Sequence, residues 1–190
     1  MSPLSPFRQG SLDGLCGLYA LINASRLADR SLNKRKCISA FKGALRWLNG
    51  KYKGDPPKDF PKDFPELLCY GLDLNPLLSL HKEFFEKIWP QISGKQLFTS
   101  ENTPEGAEEF WLRIGKEAKR PGQGLIIGIS PPLDHWSVVH KIADEKIVLF
   151  DSYYQNMALP LSDCGMKDEK KAKHIIYPEY VLLLKMKRKK

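Results

Sequence analysis

The sequence lacks any long apolar run, although 42% of its 190 residues are hydrophobic. The longest apolar runs, such as residues 125–129 and 181–184, are far shorter than the roughly 20 residues that a membrane-spanning helix needs. The first 14 residues include two prolines and no apolar segment typical of a secretory signal. We therefore expect neither a transmembrane helix nor Sec export. We predict a cytoplasmic location and leave delivery by a dedicated secretion system open.

Cysteine is scarce, and its four positions form no CxxC pair and no Cys/His cluster with zinc-site spacing. No metal or cofactor is therefore indicated. Without a secretory signal we expect free thiols, with Cys37, Cys69 and Cys164 packed as small hydrophobic residues. His81 and His174 lie beside lysines and are expected at the surface.

Internal repeats are also absent, and the positive charge is concentrated at one end. The net charge is +8, and five basic residues fall within residues 185–190. The length suits one domain, assigned to residues 1–184 and followed by a basic tail over residues 185–190. The tail is a candidate for weak contact with an anionic partner, although a solvated terminus is the simpler interpretation. Residues 50–65 are expected to form a surface loop.

Helical periodicity dominates the first two thirds of the chain. It predicts helices over residues 13–29, 36–49, 64–70, 74–89 and 104–119. The first is apolar on nearly all sides, which is typical of a helix buried in a core, and Asp13 is its predicted N-cap. Strands are predicted at residues 125–130, 135–142, 146–151 and 174–186. Helices followed by an antiparallel sheet indicate an α+β fold.

Cys16 falls in the opening turn of the first predicted helix. The partial positive charge and unpaired N–H groups at a helix N-terminus stabilise a thiolate, which is the reactive form of cysteine. Cys16 is therefore a candidate nucleophile. Gly17 follows it and is a candidate substrate-binding position, because a glycine lets a substrate approach the backbone closely. The alternative interpretation of Cys16 is a buried structural cysteine.

Three further residues complete a candidate catalytic set. His135 begins a strand after a proline-rich loop, where partial exposure suits a general base. Asp151 ends the next strand and is placed to orient the imidazole, provided that the hairpin has a three-residue loop or a bulge. Gln9 precedes Cys16, and its side-chain amide is a candidate donor to an oxyanion. Each of these residues alone also has an ordinary structural interpretation.

The order Gln, Cys at a helix start, His at a strand start and Asp at a strand end resembles that of papain-like cysteine peptidases. The matching segments are QGSLDGLCGLYALINA at 9–24 and DHWSVVHKIADEKIVLFDS at 134–152. The second resembles the His–Asp hairpin of bacteriocin-processing and effector-type bacterial peptidases. The resemblance implies an α+β, papain-like fold. In it, an N-terminal helical lobe with a buried nucleophile helix packs on a C-terminal antiparallel β-sheet.

The same resemblance implies roles for individual residues. Cys16 would be the nucleophile, His135 the base and acid, and Asp151 the orienting residue. Gln9 would be the oxyanion donor, although it stands seven residues before the cysteine, where many papain-like enzymes have five or six. Trp136, next to the base, would bind substrate or shield the His–Asp pair from water, and it is also a candidate core residue. The position of Cys16 leaves no room for a family-type inhibitory pro-segment.

These assignments predict a thiol-dependent hydrolase acting on a protein or peptide. A cysteine protease that cleaves a peptide or isopeptide bond through a thioester is the leading hypothesis. A protein glutamine deamidase or an acyltransferase, of the bacterial effector or toxin type, needs the same residues. Two alternatives of another class are a non-catalytic interaction domain with a basic tail and a nucleic-acid-binding domain, for which the sequence has no recognisable motif.

Overall fold

A computed structural model of the protein describes residues 4–10, 14–51, 62–130, 132–154, 157–166 and 172–187. Asp13, most of the predicted 50–65 loop and the last three residues of the basic tail lie outside these ranges. Within them, no helix has both the length and the apolar character to cross a membrane. The helices are α1 (Cys16–Ala28), α2 (Lys34–Lys51), α3 (Phe64–Tyr70), α4 (Leu74–Leu80), a π-helical turn (His81–Phe85), α5 (Glu86–Ile88), α6 (Ala107–Ala118) and a 3-10 turn (Leu161–Asp163).

The strands are β1 (Ile92–Gln96), β2 (Gln123–Ile129), β3 (His135–Ala143), β4 (Lys146–Leu149), β5 (Ala158–Pro160), β6 (Cys164–Gly165) and β7 (His174–Met186). They form a sheet with the order β1–β7–β2–β3–β4–β5, in which all neighbours are antiparallel. The short β6 pairs in parallel with β7. The predicted α+β fold, with a helical region preceding an antiparallel sheet, is confirmed. Because β7 runs to Met186, the first two residues of the predicted basic tail belong to the sheet.

Helices pack on both faces of the sheet. On one face, α1 and α2 share a core with residues of β2, β3 and β7 such as Ile126, Val138 and Leu182. On the other, α6 packs against Leu125 and Ile127. The alternation along β2 follows from the two-residue period of a strand, and its nearly continuous apolar sequence reflects burial on both sides.

The helix that carries Cys16 is pressed closely against the sheet. A β-carbon at Gly124 of β2 would lie 2.1 Å from the carbonyl oxygen of Ala24, so only glycine fits where α1 crosses this strand. Leu18 and Leu21 of α1 are fully buried. The prediction that this helix is buried is therefore confirmed. The packing of α1 against the sheet holds Cys16, its first residue, in place.

The start of α1 differs from the prediction. The helix begins at Cys16, and Leu15 occupies the N-cap position without a side-chain hydrogen bond. Asp13, the predicted N-cap, lies outside the described residues. The approach to the helix is fixed instead by a tertiary contact, because the Gly14 N–H donates to the carbonyl of Leu68 in α3 at 2.6 Å. A contact with a distant segment is invisible to local sequence patterns.

Several cysteine and histidine environments also differ from expectation. All four thiols are free; Cys37 and Cys164 are buried as predicted, but Cys69 is exposed. Burial raises the pKa of Cys37 and of Cys164 to about 11 in each case. His81 and His174 are buried, not at the surface. The lysines beside them in sequence misled the prediction, because neighbours along a helix or strand point in different directions.

Candidate active site

The first residue of α1 meets the first residues of β3. The backbone N–H of Trp136 donates a hydrogen bond to the sulfur of Cys16 at 3.5 Å. His135, the residue before Trp136, lines the same cleft as Cys16. Two segments separated by 120 positions therefore bring a thiol and an imidazole together at a helix N-terminus, where partial positive charge favours an anion.

The second contact of His135 is with a buried carboxylate. Its Nε2 atom lies 2.8 Å from Oδ2 of Asp151, whose side chain is fully buried. The same oxygen accepts a hydrogen bond from the Ser137 hydroxyl, at 2.5 Å. The other carboxylate oxygen accepts the backbone N–H groups of Tyr153 and Tyr154, both at 2.7 Å. Four donors surround the carboxylate, which satisfies a buried charge and fixes its orientation.

A β-bulge brings Asp151 to the correct side of the hairpin. Lys141 pairs with Val148, but Val139 pairs with Leu149, so β3 contains one extra residue at His140. Continued from Leu149, this register places Asp151 opposite Ser137 and therefore on the face that Ser137 shares with His135. The sequence-based requirement for a three-residue loop or a bulge is met by a bulge.

The charges of the three groups reinforce one another. Burial lowers the pKa of His135, but the hydrogen bonds and charges of Asp151 and Cys16 outweigh it and raise that pKa to about 9. Burial raises the pKa of Asp151, but the hydrogen bond and charge of His135, with those from Ser137 and Tyr154, lower it overall. At neutral pH the imidazole is therefore protonated, with the Asp151 carboxylate at its Nε2 atom and Cys16 in the same cleft.

Gln9 lies next to this group through Ser152. The Gln9 backbone N–H donates to the Ser152 carbonyl at 2.9 Å. The Ser152 hydroxyl donates to Oε1 of Gln9 at 3.4 Å. These bonds join the N-terminal segment to the residue that follows Asp151. An amide side chain donates only through its nitrogen, so the predicted oxyanion role of Gln9 concerns its Nε2 group.

Gly17 and Trp136 have different surroundings from each other. Gly17 is buried, and a β-carbon there would lie 3.0 Å from Cδ1 of Leu77 and 3.3 Å from Cδ1 of Trp136. Gly17 thus packs against the indole, and its substrate-binding role stays a prediction. Trp136 is both a core residue and part of the cleft wall, and its Nε1–H donates to the Leu72 carbonyl at 2.8 Å.

A cleft of about 410 Å³ opens beside the thiol. It is of the size that small-molecule and peptide side-chain sites occupy. Trp136 and Tyr180 stack with ring centroids 5.5 Å apart, and Asp73 lines the same cleft. Burial and Asp73 raise the pKa of Tyr180. The lining residues are Cys16, Leu72, Asp73, Gly128, Ile129, Ser130, Asp134, His135, Trp136, Tyr177 and Tyr180.

In the ranges that the structure describes, no group of three or more His, Cys, Asp or Glu residues could hold a metal ion.

Sequence reasoning missed several groups at this site. Ser137 carried a usable signal, since it lies two residues after His135 and a strand places such residues on one face. Asp73 and Tyr180 carried none, because they reach the cleft from α4 and β7, far away in sequence. The amides of Tyr153 and Tyr154 are backbone groups, which residue types do not reveal.

The comparisons with known proteins establish the fold. A candidate C39-like peptidase from Bacillus anthracis is 19% identical, covers 97% of this chain and 96% of its own, and superposes with a TM-score of 0.51. This chain has a C39-like peptidase fold. A double glycine motif protease from an AMS/PCAT transporter, solved with its leader peptide, is 11% identical over 97% of this chain and 91% of its own, with a TM-score of 0.44. No family model and no curated protein matches the sequence.

The C39-like peptidase fold confirms the papain-like class that the sequence resembled. At 19% identity the likeness concerns the arrangement of helices and strands. The roles of individual residues in this C39-like fold therefore depend on the geometry of the chain itself.

Proposed function

We propose that the protein is a thiol-dependent hydrolase that cleaves peptide bonds, with Cys16 as nucleophile, His135 as acid and base, and Asp151 as the orienting residue. One arrangement supports this above all. Cys16 and His135 line one cleft, the N–H next to His135 donates to the Cys16 sulfur, and His135 bonds to the buried Asp151 carboxylate. The Nε2 atom is used by the carboxylate, so Nδ1 is the ring nitrogen left to serve the thiol. Covalent catalysis by cysteine needs a nucleophile, a base within reach of it and a third group that orients the base.

In the proposed reaction the Cys16 thiolate attacks the substrate carbonyl carbon, and the carbonyl oxygen becomes an oxyanion. The backbone N–H of Cys16 and Nε2 of Gln9 are the proposed donors to this oxygen. His135 then transfers its Nδ1 proton to the amide nitrogen, and the carbon–nitrogen bond breaks to leave a thioester and a free amine. Asp151 stabilises the imidazolium before this transfer.

Water completes the cycle. A water molecule attacks the thioester carbon and gives one proton to His135, which restores the imidazolium. The carbon–sulfur bond then breaks, the carboxylic acid product leaves and the Cys16 thiolate is regenerated. The Trp136 N–H, which donates to the sulfur, stabilises the thiolate at the start and end of this sequence.

A peptide-library experiment tests this proposal. The wild-type protein and the Cys16→Ser variant are incubated with a complex mixture of peptides, and the products are identified by mass spectrometry. New termini that appear only with the wild type support peptide hydrolysis. A mass gain of about one dalton at glutamine would indicate a deamidase, and coupled peptides an acyltransferase, because both outcomes use the same thioester chemistry.

An intact-mass measurement tests the reactivity of Cys16 without a known substrate. A peptidyl acyloxymethyl ketone should add the mass of its peptidyl methyl ketone part to the wild type, because the thiolate displaces the acyloxy group as a carboxylate, and should add nothing to Cys16→Ser. A wild type that remains unlabelled and produces no new peptide would contradict the proposal and favour a non-catalytic interaction domain.

A further inference from the structure

The cleft beside Cys16 carries negative charge although the whole chain is basic. Asp73, the N-cap of α4, and Asp134, which precedes β3, both line it. Among its lining residues in the described ranges there is no lysine or arginine. Residues 52–184 contain 16 Lys and Arg against 20 Asp and Glu, so the excess positive charge lies elsewhere in the chain. The His135 imidazolium also lines the cleft, but its charge is paired with the buried Asp151 carboxylate. A concave site in which one sign of charge predominates concentrates ligands of the opposite sign.

Aromatic rings form the other part of the cleft. Tyr180 stacks with Trp136 at an interplanar angle of 23° and lies 5.6 Å from Tyr177, centroid to centroid. The faces of such rings attract cations. The Asp73 carboxylate lines the cleft with these rings, and burial followed by this carboxylate raises the pKa of Tyr180. Asp73 accepts a hydrogen bond from the Leu74 N–H, and a carboxylate with about four acceptor sites retains capacity for a ligand.

We propose that this cleft binds an arginine or lysine side chain of the peptide substrate, next to the bond that Cys16 attacks. This inference rests on the proposed function and names its substrate class. The cationic group packs against Tyr177 and Tyr180 and pairs with Asp73, while Asp134 adds to the negative field. Among the cleft residues, Asp73 and the tyrosine pair are thus the proposed specificity determinants for peptides with a basic residue at the cleavage site.

Matched covalent probes test the inference. Three short peptidyl acyloxymethyl ketones differ only at the residue beside the reactive group, which is arginine, citrulline or glutamate. Citrulline has nearly the shape of arginine without its charge. We expect the arginine probe to label Cys16 at least about fivefold faster than the citrulline probe, as for one partly exposed ion pair. The glutamate probe should be slowest, and the arginine preference should shrink as salt concentration rises.

Substitutions with matched controls assign the preference to the cleft. Asp73→Asn should remove most of it, since asparagine keeps the N-cap oxygen but loses the charge. Asp63→Asn is the control, because Asp63 is likewise the N-cap of a seven-residue helix and does not line the cleft. Asp134→Asn should reduce the preference less. Its control is Asp144→Asn, since both positions have positive φ, at 43° and 52°, which asparagine tolerates.

The outcomes separate this inference from the proposed function. Equal labelling by the arginine and citrulline probes would overturn the basic-residue specificity while a labelled Cys16 still supported the hydrolase. An arginine preference that survives Asp73→Asn would overturn the assignment to this cleft. If neither the probes nor iodoacetamide reacted with Cys16 faster than with the exposed Cys69, the proposed function would fail and the inference with it.

Discussion

The backbone amide of Trp136 donates a hydrogen bond to the sulfur of Cys16, so the strand that supplies the imidazole also holds the thiol. The relationship is independent of the indole side chain, because it involves only the backbone. It depends instead on how closely β3 approaches the N-terminus of α1. The reactivity of the thiol should therefore respond to changes in packing between these two elements as well as to changes in His135 itself.

Cys16 should be the fastest cysteine to react with iodoacetamide between pH 6 and 7. Its helix N-terminus, the Trp136 N–H and the protonated His135 all favour the thiolate, and we expect a rate at least about tenfold above that of exposed Cys69. Cys37 and Cys164 should stay unmodified, because burial raises the pKa of each to about 11. Peptide mapping by mass spectrometry measures all four rates.

The His135→Ala variant is the control for this selectivity. It should slow alkylation of Cys16 and leave the rate at Cys69 unchanged, because Cys69 is exposed on α3. Similar rates at all four cysteines of the folded wild type would remove the argument for an activated thiol.

The pH dependence of stability should report the His135 ion pairs. The folded-state pKa of about 9 is above the unfolded value of about 6.5, so the stabilisation is complete below pH 6.5 and is lost as pH rises through 9. The shift corresponds to about 3 kcal/mol at most. Denaturant unfolding of the wild type and of His135→Ala from pH 6 to 10 should show this loss in the wild type only; parallel curves would contradict it.

Asp151→Asn should slow peptide cleavage about 10- to 100-fold without abolishing it. If the asparagine oxygen keeps the two tyrosine amides, its NH₂ group must face Nε2 of His135, which then has to accept instead of donate. The imidazole would lose its charge, and the fall in activity at alkaline pH should move to lower pH. A pH profile of kcat/KM on a peptide from the library experiment measures this, and an unchanged profile would assign the orienting role elsewhere.

Ser137→Ala should give a smaller effect of the same kind. The hydroxyl supplies one of four hydrogen bonds to Asp151, so we expect a fall in kcat of a few fold and a loss of about 1 kcal/mol of stability. Ser93→Ala is the matched control, because the Ser93 hydroxyl makes only a long, exposed bond to Lys185 at 3.4 Å. A Ser137→Ala enzyme with the kinetics of the control would show that the remaining donors suffice.

Gly17→Ala should destabilise the fold by about 1–3 kcal/mol and reduce turnover, because the added methyl group presses on Leu77 and Trp136. The shift of Trp136 would disturb its backbone bond to Cys16. The control is Gly50→Ala in α2, where a β-carbon meets nothing within 4 Å and alanine should be neutral or slightly stabilising. If Gly17→Ala changed only KM at full stability, the glycine would face the substrate after all.

The sequence predicts the fold well because its main signals are local. Apolar periodicity located α1, α2, α3 and α6, and the apolar runs located β2, β3, β4 and β7. The strands it missed, β1, β5 and β6, are short and depend on pairing with distant segments. The same distinction applies to the start of α1, which lies at Cys16 and not at residue 13, and beside which Gly14 contacts the distant Leu68.

At the site, sequence order was enough to suggest Cys16, His135 and Asp151, which the fold brings together. It could not separate the packing role of Gly17 from a substrate contact, because both need a small residue. It also could not reveal the cleft, whose carboxylate and tyrosine come from α4 and β7. The cytoplasmic location and the anionic partner of the basic tail stay predictions.

The extra residue at His140 gives the hairpin an unequal count on its two sides. In a regular ladder, position 151 would face Val138, and its carboxyl group would emerge on the α1 side of the sheet, away from the imidazole. Pairing of this hairpin without the bulge would therefore separate the imidazole from the Asp151 carboxylate while leaving every proposed catalytic side chain present. The proposed site thus depends on one irregularity of backbone pairing. Any redesign of this hairpin must keep Asp151 opposite Ser137.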